Sequence, residues 1–514
     1  MAVLGKVLKR AIKLRKTAAR VAIKRNPMKV QEGTFLKLLR KARYTAFGEY
    51  YRFSDILLDD NPIRRFQEIV PVHDYNKIHD EWWYRTLRGE ADVCWPGQVH
   101  YFALSSGTSG APSKHIPVTA DMLKAIKRTS LRQILTMAWF DLPESLFEKP
   151  ILMISGSTDL HFNGQFYEGD LSGITAGNIP LWFQHFYKPG KEISAERDWA
   201  TKIEEIVLKA RDWDIGIIVG VPSWIQIVIE KVIEYYKVDN IHDIWPNLTI
   251  YCHGGVSFEP YKQGFEKLLG KPMIYVDTYL ASEGYIAFQS QNTNAMQLVL
   301  NRGIFFEFIP FNERNFNGDG DMVEKPETLL IDEVKEGVDY ALLLSTCAGA
   351  WRYLIGDTVR FTNAEKQEIQ ITGRTRHYLS LCGEHLSVDN MNRAIQEVSQ
   401  ELNLDVKEFT VMGIPHGSMF AHKWFIGIDE PADAQEITKK LDEKLCELND
   451  DYKVERTSAL KNVSVELIPS SIFYEWLEVK GKISAQTKFP RVLKRDRAKA
   501  WESFVKQRLS VEKR

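Results

Sequence analysis

Short apolar runs, bounded by turn residues and separated by helical stretches, limit most strongly how this chain can fold. Such runs are typical of buried β-strands. The predicted strands are Ile151–Ser155, Ile215–Val221, Leu248–Cys252, Met273–Val276, Ile304–Ile309 and Tyr340–Ser345. Amphipathic helical patterns occupy residues 30–90 and recur around 120–150 and 195–212. Strands that alternate with helices indicate an α/β fold with a largely internal sheet.

A second pattern divides the chain into parts. From Leu298 to Phe361 strand follows strand, which favours an antiparallel or barrel-like subdomain at the end of a large domain. After the stretch that ends at Arg376, helices near 390–402 and 434–448 alternate with strands near 409–413, 424–428 and 464–469. Because 514 residues exceed one ordinary hydrophobic core, we predict a large domain over residues 1–374 and a small α+β domain over residues 375–514.

Composition and charge argue against several classes of function. The 67 basic and 68 acidic residues nearly cancel, so the chain lacks the strongly basic character that nucleic-acid binding requires. Its five cysteines are widely spaced and form no CxxC pair, which argues against a disulfide framework or a zinc site and favours the reducing cytoplasm. No run of about 18 apolar residues is present, so we expect no transmembrane segment.

The first thirty residues differ from the rest, because they carry ten Lys or Arg and no acidic residue. The apolar residues Leu4, Val7, Leu8, Ala11 and Ile12 recur at helical spacing. We predict a basic N-terminal helix over residues 1–30 that lies on the body of the protein with its lysines in water. An interfacial helix or a targeting segment is the alternative.

A run of small residues, Ser105-Ser106-Gly107-Thr108-Ser109-Gly110, follows a strand-like apolar segment. Glycines let a backbone approach an anion closely, and hydroxyl and backbone N–H groups donate hydrogen bonds to phosphate oxygens. Lys114, a few residues further on, can add a positive charge. The pattern is not a Walker loop, since G-x-x-x-x-G-K-[ST] occurs nowhere in the chain. By itself the run fits a phosphate-binding loop and a flexible turn equally well.

Two carboxylates stand in short motifs that suit a nucleotide. Glu283 lies near the end of the segment Val276–Gly284, and beside phosphates it would be a natural Mg²⁺ ligand. Asp357 follows a glycine in Trp351–Asp357, the usual arrangement for accepting hydrogen bonds from ribose hydroxyls. An ordinary acidic turn residue is the alternative for each. Lys488 by itself is more typical of a solvated surface group.

In this order and at these spacings the motifs resemble the adenylate-forming superfamily of acyl ligases. More closely, the chain is similar to the Gretchen Hagen 3 branch, the acyl acid amido synthetases, from about Phe35 to Arg491. The loop Ser105–Lys114 has the ten-residue length of that branch. The other matching segments are Tyr279–Glu283, Trp351–Asp357, Ile244–Leu248 followed by His253–Val256, and Gln486–Arg491. Several motifs in order are more specific than any one of them.

The resemblance implies a role for each matching position. The triphosphate of ATP would be held by Ser105, Ser106, Gly107, Thr108, Ser109 and Gly110. The adenine would be lined by His253, Gly254, Gly255, Val256 and Tyr279, with Ser282 in the same ATP-binding set. Glu283 would bind Mg²⁺, Asp357 the ribose, and Arg374 the hinge-side edge of the nucleotide. Lys488 would reach in from a mobile lid and act catalytically with Glu283.

Other assignments rest on looser matches. The hinge residue is Arg376 or His377, and Lys114 stands far along its loop. Val221 and Trp224, at a strand-to-helix junction, are candidates to line the acyl group, with core packing of Trp224 as the alternative.

The implied fold is that of the adenylate-forming enzymes, an α/β class with a large N-terminal domain, a β-barrel-like subdomain and a small α+β C-terminal lid. The implied function is ATP-dependent, Mg²⁺-assisted adenylation of a small carboxylic acid. The acyl group is then transferred to the amine of an amino acid, which forms an amide. Thioester formation with coenzyme A, or a non-catalytic nucleotide-binding relative, is the alternative.

Overall fold

The computed structural model describes residues 26–512 apart from several short segments. These segments are residues 106–113, 138–139, 141, 181–182, 256–257, 291–292, 294, 318–319, 376–385, 387, 417–418, 450–451, 454–455, 457–459, 480–488 and 494. Several predicted features therefore lie outside the described residues: most of the basic N-terminal helix, Ser106–Gly110, Val256, Arg376, His377 and Lys488.

Helices accompany the sheets throughout the described part of the chain. They are α1 (Pro27–Ala42), α2 (Ala46–Tyr50), α3 (Phe53–Ile56), α4 (Pro62–Ile69), α5 (Tyr75–Ile78), α6 (Tyr84–Leu87), α7 (Ala120–Thr136), α8 (Leu171–Gly177), α9 (Lys191–Ala195), α10 (Trp199–Lys209), α11 (Pro222–Tyr236), α12 (Glu259–Lys267), α13 (Val388–Leu402), α14 (Ala434–Leu448), α15 (Ser471–Val479) and α16 (Arg495–Glu512). A π-helical turn spans His79–Trp83 and 3₁₀ turns span Glu144–Glu148, Ala210–Asp212 and Ile241–Asp243. Among the described residues, no helix is long and apolar enough to cross a membrane.

The strands form three sheets within the described part of the chain. They are β1 (Tyr101–Ser105), β2 (Lys114–Val118), β3 (Ile151–Met153), β4 (His161–Phe162), β5 (Tyr167–Gly169), β6 (Tyr187–Lys188), β7 (Ile217–Gly220), β8 (Ile250–Gly254), β9 (Ile274–Ala281), β10 (Gly284–Phe288), β11 (Met296–Leu298), β12 (Ile304–Pro310), β13 (Asp339–Thr346), β14 (Tyr353–Asn363), β15 (Glu368–Arg374), β16 (Glu408–His416), β17 (Met419–Gly427), β18 (Leu460–Ile468) and β19 (Val492–Leu493). All six strands predicted from the apolar runs are confirmed, as β3, β7, β8, β9, β12 and β13.

The largest sheet has eleven strands in the order β12-β13-β14-β15-β11-β10-β9-β8-β7-β3-β6. One half of this sheet is parallel and consists of β6, β3, β7, β8 and β9. The other half, which runs in sheet order from β9 through β10, β11, β15, β14 and β13 to β12, is antiparallel. The segment predicted as an antiparallel or barrel-like subdomain is thus antiparallel. The antiparallel segment continues the parallel half of the same sheet. Among the described strands, β12 and β6 are the two edges of this sheet.

A smaller sheet of order β18-β17-β16-β19 belongs to the C-terminal part of the chain. Helices α13 and α14 pack against it around a core that includes Trp424 and Leu441. The described C-terminal part of the chain thus has the predicted α+β character, and its helix at 434–448 has the predicted bounds. A third sheet, of order β2-β1-β5-β4, carries the β1–β2 hairpin whose strands flank residues 106–113.

Aromatic side chains hold the start of β14 in place. Trp83 and Trp351 are both fully buried. The indole of Trp83 donates to Gly349 O at 3.2 Å, and the indole of Trp351 donates to Cys94 O at 3.0 Å. Buried indole N–H groups that are satisfied in this way rigidify their surroundings. These two hydrogen bonds therefore fix the start of the motif Trp351–Asp357 against residues 83–94 of the N-terminal part of the chain.

Arg352 lies at the centre of a buried polar cluster that the sequence analysis did not identify. Its guanidinium donates to both carboxylate oxygens of Glu307, at 2.9 and 3.1 Å. It also donates to the carbonyls of Gln67 and Val70, at 2.9 and 2.8 Å, and to Thr328 Oγ1 at 3.0 Å. Arg352 is 5% and Glu307 1% exposed. Because water does not solvate them, each buried charge is stabilised mainly by the opposite charge of its partner.

Replacement of Arg352 by methionine is expected to destabilise the large domain by about 3–5 kcal/mol, since it leaves the Glu307 carboxylate buried without a countercharge. Arg360 on β14, the strand that begins directly after Arg352, is the matched control, because it forms a similar bidentate pair with Asp339, at 2.8 and 2.9 Å, near the surface. Arg360→Met should cost no more than about 1 kcal/mol. Urea denaturation of both variants measures the difference, and equal losses would contradict the proposed role of burial.

Candidate active site

Asp357, Arg374 and Tyr279 form one connected group at the large sheet. The antiparallel register of β14 and β15 places Asp357 opposite Arg374, and Arg374 Nε lies 2.9 Å from Asp357 Oδ1. The hydroxyl of Tyr279 on β9 donates to Asp357 Oδ2 at 2.6 Å. The neighbouring Asp357 charge raises the pKa of Arg374. A carboxylate has about four acceptor positions, so Asp357 can still accept hydrogen bonds from a ligand.

Glu283 occupies the tight turn between β9 and β10. Its side chain is only 9% exposed. Burial, and then the charge of Asp357, raise the pKa of Glu283 to about 7, while Arg374 and Lys114 act in the opposite direction. Gly284 follows with a φ of 145°, a region that L side chains rarely adopt. The turn therefore holds a buried carboxyl group within the electrostatic range of Asp357.

The C-terminal end of β8 lies beside β9. His253 is paired with Asp277 and Gly254 with Thr278 in parallel register. A Cβ on Gly254 would lie 2.3 Å from Thr278 O, so only glycine permits this approach. The ring of His253 is 8% exposed, and burial lowers its pKa to about 4, which keeps it neutral. Its Nδ1 lies 3.5 Å from Asp277 Oδ1 and has no hydrogen-bond partner among the described residues.

Backbone pairing closes the base of the predicted phosphate loop. Ser105 and Lys114 are opposite each other at the end of the β1–β2 hairpin. Lys114 Nζ lies 5.2 Å from the centre of the Tyr75 ring, and its charge lowers the pKa of Glu283. Lys114 is therefore within electrostatic range of the site, although it stands at the far end of its loop.

Trp224 lies in a hydrophobic core on α11. It is 4% exposed and packs edge-to-face on Trp199, with ring centroids 4.6 Å apart. Val221 precedes the helix and packs against the same core. This geometry agrees with the core-packing alternative for Trp224, and contact with an acyl group stays a prediction for both residues.

A buried polar residue near the site, Gln133, was not identified from the sequence. Gln133 on α7 donates to Thr278 Oγ1 at 2.8 Å, and it accepts a hydrogen bond from the hydroxyl of Tyr285. Gln133 belongs to the buried face of α7, together with Met122 and Ile126. Its helical spacing from Met122 and Ile126 was the signal that could have placed this glutamine on the buried face.

The fold brings together Tyr279, Ser282, Glu283, Asp357 and Arg374, which come from three strands and one turn. The end of β8 with His253 lies at the neighbouring strand. Carboxylate, guanidinium, phenol and neutral imidazole groups here surround the ends of β8 and β9, which is where α/β sheets commonly bind ligands. Such a group can bind a polar, phosphorylated ligand.

Comparison of folds identifies the class. The chain superimposes on an acyl acid amido synthetase, AtGH3.15 in complex with 2,4-DB, with a TM-score of 0.76 at 16% identity over 97% of this chain and 96% of that chain. A 2-hydroxyisobutyryl-CoA ligase in the postadenylation state superimposes with a TM-score of 0.58 at 14% identity, over 94% of this chain and 92% of that one. The protein has the fold of the adenylate-forming enzymes.

Family models identify the branch. Those of the GH3 family match residues 19–159 and 126–274 as the N-terminal domain, 297–374 as the central domain and 389–497 as the C-terminal domain. The chain belongs to the GH3 family, which confirms the resemblance seen in the motifs. A jasmonoyl-L-amino acid synthetase, JAR6 of Nicotiana attenuata, is 30% identical over 185 residues, which are 33% of this chain and 30% of that protein. The matched segment thus spans about a third of this relative.

The raised pKa of Glu283 predicts a fall in stability as the pH rises. Between pH 4.5 and about 7 an unfolded glutamate loses its proton while the folded one retains it. The unfolded state then binds fewer protons, so the free energy of unfolding decreases through this window and levels off above it. Glu283→Gln should abolish this contribution. Urea denaturation of ligand-free protein at pH 5 and pH 8 tests this expectation, and a variant that gains no stability relative to the parent at pH 8 contradicts it.

Proposed function

We propose that this protein is an acyl acid amido synthetase, which adenylates a small carboxylic acid with ATP and transfers the acyl group to an amino acid. The observation that carries this proposal is the group formed by Tyr279, Glu283, Asp357 and Arg374. Family membership supports it, because the curated relative JAR6 is named as a jasmonoyl-L-amino acid synthetase.

In this proposal the nucleotide lies across the ends of β8 and β9. Asp357 accepts hydrogen bonds from the ribose hydroxyls, and its carboxylate is oriented by Tyr279 and Arg374, which lie 2.6 and 2.9 Å away. His253 to Val256 and Tyr279 line the adenine. Ser105 to Gly110 hold the triphosphate with hydroxyl and backbone N–H groups. Ser282 belongs to the same ATP-binding set.

The first half-reaction joins the acid to AMP. A carboxylate oxygen of the acid attacks the α-phosphorus of ATP, the bond to the bridging oxygen of the β-phosphate breaks, and pyrophosphate leaves. In the second half-reaction an amine nitrogen attacks the acyl carbon, AMP leaves with the electron pair of the C–O bond, and the nitrogen loses a proton. No protein nucleophile is required, so positioning and charge stabilisation supply the catalysis.

We propose that Glu283 holds Mg²⁺. Mg²⁺ typically binds through one or two carboxylates together with substrate phosphates and water, and a single buried carboxyl group beside a phosphate loop fits that requirement. The ion would neutralise charge on the phosphates when it is bound. Glu283 must lose its proton to bind it, and its pKa of about 7 makes this step sensitive to pH.

We further propose a division of the chain at Arg374. Residues 1–374 would bind ATP and the acid, and residues 375–514 would form a lid that delivers Lys488 to the α-phosphate. Val221 and Trp224 remain the candidates for the acyl pocket. The described cysteines are free thiols, which suits the cytoplasm as the proposed location.

Acid-dependent exchange of pyrophosphate into ATP tests the proposal. A panel of aryl, indolyl and aliphatic carboxylic acids should include at least one that gives exchange. Mass spectrometry after addition of the twenty amino acids should then detect an amide. A thioester formed only with coenzyme A would identify the CoA-ligase alternative. ATP binding without exchange for any acid would identify a non-catalytic relative.

A further inference from the structure

Tyr261, Glu408 and Arg491 form a buried polar contact between the two domains. Tyr261 lies on α12 of the large domain, and its hydroxyl donates to Glu408 Oε2 of the small domain at 3.3 Å. Arg491 Nη2 lies 3.2 Å from the same hydroxyl, and Arg491 forms an ion pair with Glu408. Tyr261 is 4% and Glu408 5% exposed.

The segment that carries Arg491 is anchored in the small domain. Phe489 is 4% exposed and packs on Phe473 and Trp501, with ring centroids 4.8 Å away in each case. Thr410 Oγ1 donates to Pro490 O at 2.8 Å. The guanidinium of Arg491 also lies 4.0 Å from the ring centroid of Phe409. This segment begins directly after Lys488 in the chain. Its position therefore limits how far Lys488 can lie from the core of the small domain.

Helix α12 lies close in sequence to the candidate nucleotide site. It begins at Glu259, five residues after Gly254, where β8 ends. The contact of Tyr261 with Arg491 therefore holds the end of the Lys488 segment against a helix that starts beside the proposed adenine site. Because Lys488 is proposed above to act in adenylation, we assign the contact that holds the segment directly after it to the same half-reaction.

The contact is also easily reversed. Glu408 and Arg491 belong to the same domain, so their ion pair remains intact when the domains separate. Separation therefore leaves neither of these two charges unpaired. Within this cluster, separation exchanges the two hydrogen bonds of the Tyr261 hydroxyl for bonds to water. Two further polar contacts between the domains lie nearby in the described part of the chain: Lys407 Nζ is 2.6 Å from Glu230 Oε1, and Gln263 contacts Asn403 at 3.0 Å.

We propose that Tyr261 is a positioning residue, which together with Glu408 and Arg491 latches the small domain in the arrangement that serves adenylation. The proposal rests on the proposed function, since it assigns the latch to one half-reaction. It goes beyond that function by naming the contact that determines when Lys488 is presented.

Zero-length cross-linking with a carbodiimide measures the latched arrangement without any substrate. The reagent joins Lys407 to Glu230 only when the domains are docked. The Lys440–Glu401 pair, at 2.8 Å within the small domain, is the internal standard. Tyr261→Phe should lower the first link several-fold relative to the second, whereas Tyr236→Phe should leave it unchanged, because the Tyr236 hydroxyl bonds within the large domain.

The two half-reactions are then measured separately on the same variants. With the acid that gives the strongest exchange, Tyr261→Phe should slow pyrophosphate exchange about tenfold, the size expected for losing hydrogen bonds to a charged pair. Transfer from the synthetic adenylate of that acid to an amino acid should change less than about twofold. Tyr236→Phe should leave both rates unchanged.

An unchanged Lys407–Glu230 link in Tyr261→Phe overturns the latch. A weaker link with transfer slowed as much as exchange overturns its assignment to adenylation. A parent protein that gives no exchange with any acid instead overturns the proposed function, and the cross-link ratio still decides whether the latch exists.

Discussion

Lys488→Ala is expected to slow acid-dependent pyrophosphate exchange by about a hundredfold or more while ATP binding stays nearly unchanged. The α-phosphate gains charge in the transition state of adenylation, and a preorganised cation aimed at that charge contributes about 3 kcal/mol. Because the lysine acts on the transition state, its loss lowers the rate rather than the affinity for ATP. Exchange assays and calorimetric titration with ATP measure the two quantities.

Lys482→Ala is the control for this prediction. Lys482 lies in the same Gly- and Lys-containing segment, six positions before Lys488, so its removal matches the change in charge and local composition. It should leave exchange within about twofold of the parent, because the proposed mechanism assigns it no part in adenylation. Exchange by Lys488→Ala at the parental rate would show that this lysine has no part in adenylation.

Asp357→Ala is expected to weaken ATP binding by about 10- to 100-fold. Hydrogen bonds from ribose hydroxyls to a carboxylate contribute about 1.5–3 kcal/mol, and the alanine also removes the group that orients Arg374 and Tyr279. Exchange at saturating ATP should recover much of the parental rate, because the loss is mainly one of binding. Titration with ATP measures the dissociation constant.

Asp339→Ala provides the comparison. Asp339 forms the same kind of cross-strand pair on the same sheet, with Arg360 Nε 2.8 Å from its Oδ1, but among the described residues no hydrogen bond joins its side chain to Tyr279 or Glu283. The affinity of this variant for ATP should equal that of the parent. If Asp357→Ala binds ATP as tightly as Asp339→Ala does, Asp357 is not the ribose ligand.

Local signals predicted much of the architecture. The apolar runs near β7, β8 and β12 are short, rich in β-branched residues and bounded by turns, and each forms a strand within a few residues of its predicted ends. The helix at Ala434–Leu448 is delimited by a clear amphipathic pattern and begins after an Asp433 cap. These properties depend on neighbours in sequence, so one chain suffices to recognise them.

The candidate site was predictable only in part. Glu283 and Asp357 were identified by their motifs, and the structure places them within electrostatic range of each other. The partners of Gln133, and the pairing of Arg352 with Glu307, were not predictable, because a polar residue gives no sign in the sequence of which distant group it contacts. The contact of Trp224 with Trp199 was likewise not predictable, because the two residues are 25 positions apart in the chain.

The sequence by itself determined the alternation of strands and helices, the small residues of the Ser105–Gly110 loop and the order of the motifs, all of which follow from local backbone preference and side-chain chemistry. Only the tertiary structure decided which residues meet. Tyr279 and Asp357 are 78 positions apart and share a hydrogen bond because β9 and β14 lie in one sheet. The order of the strands in that sheet is not encoded in the periodicity of the sequence. The same holds for Tyr261 and Arg491, which contact each other only because the two domains dock.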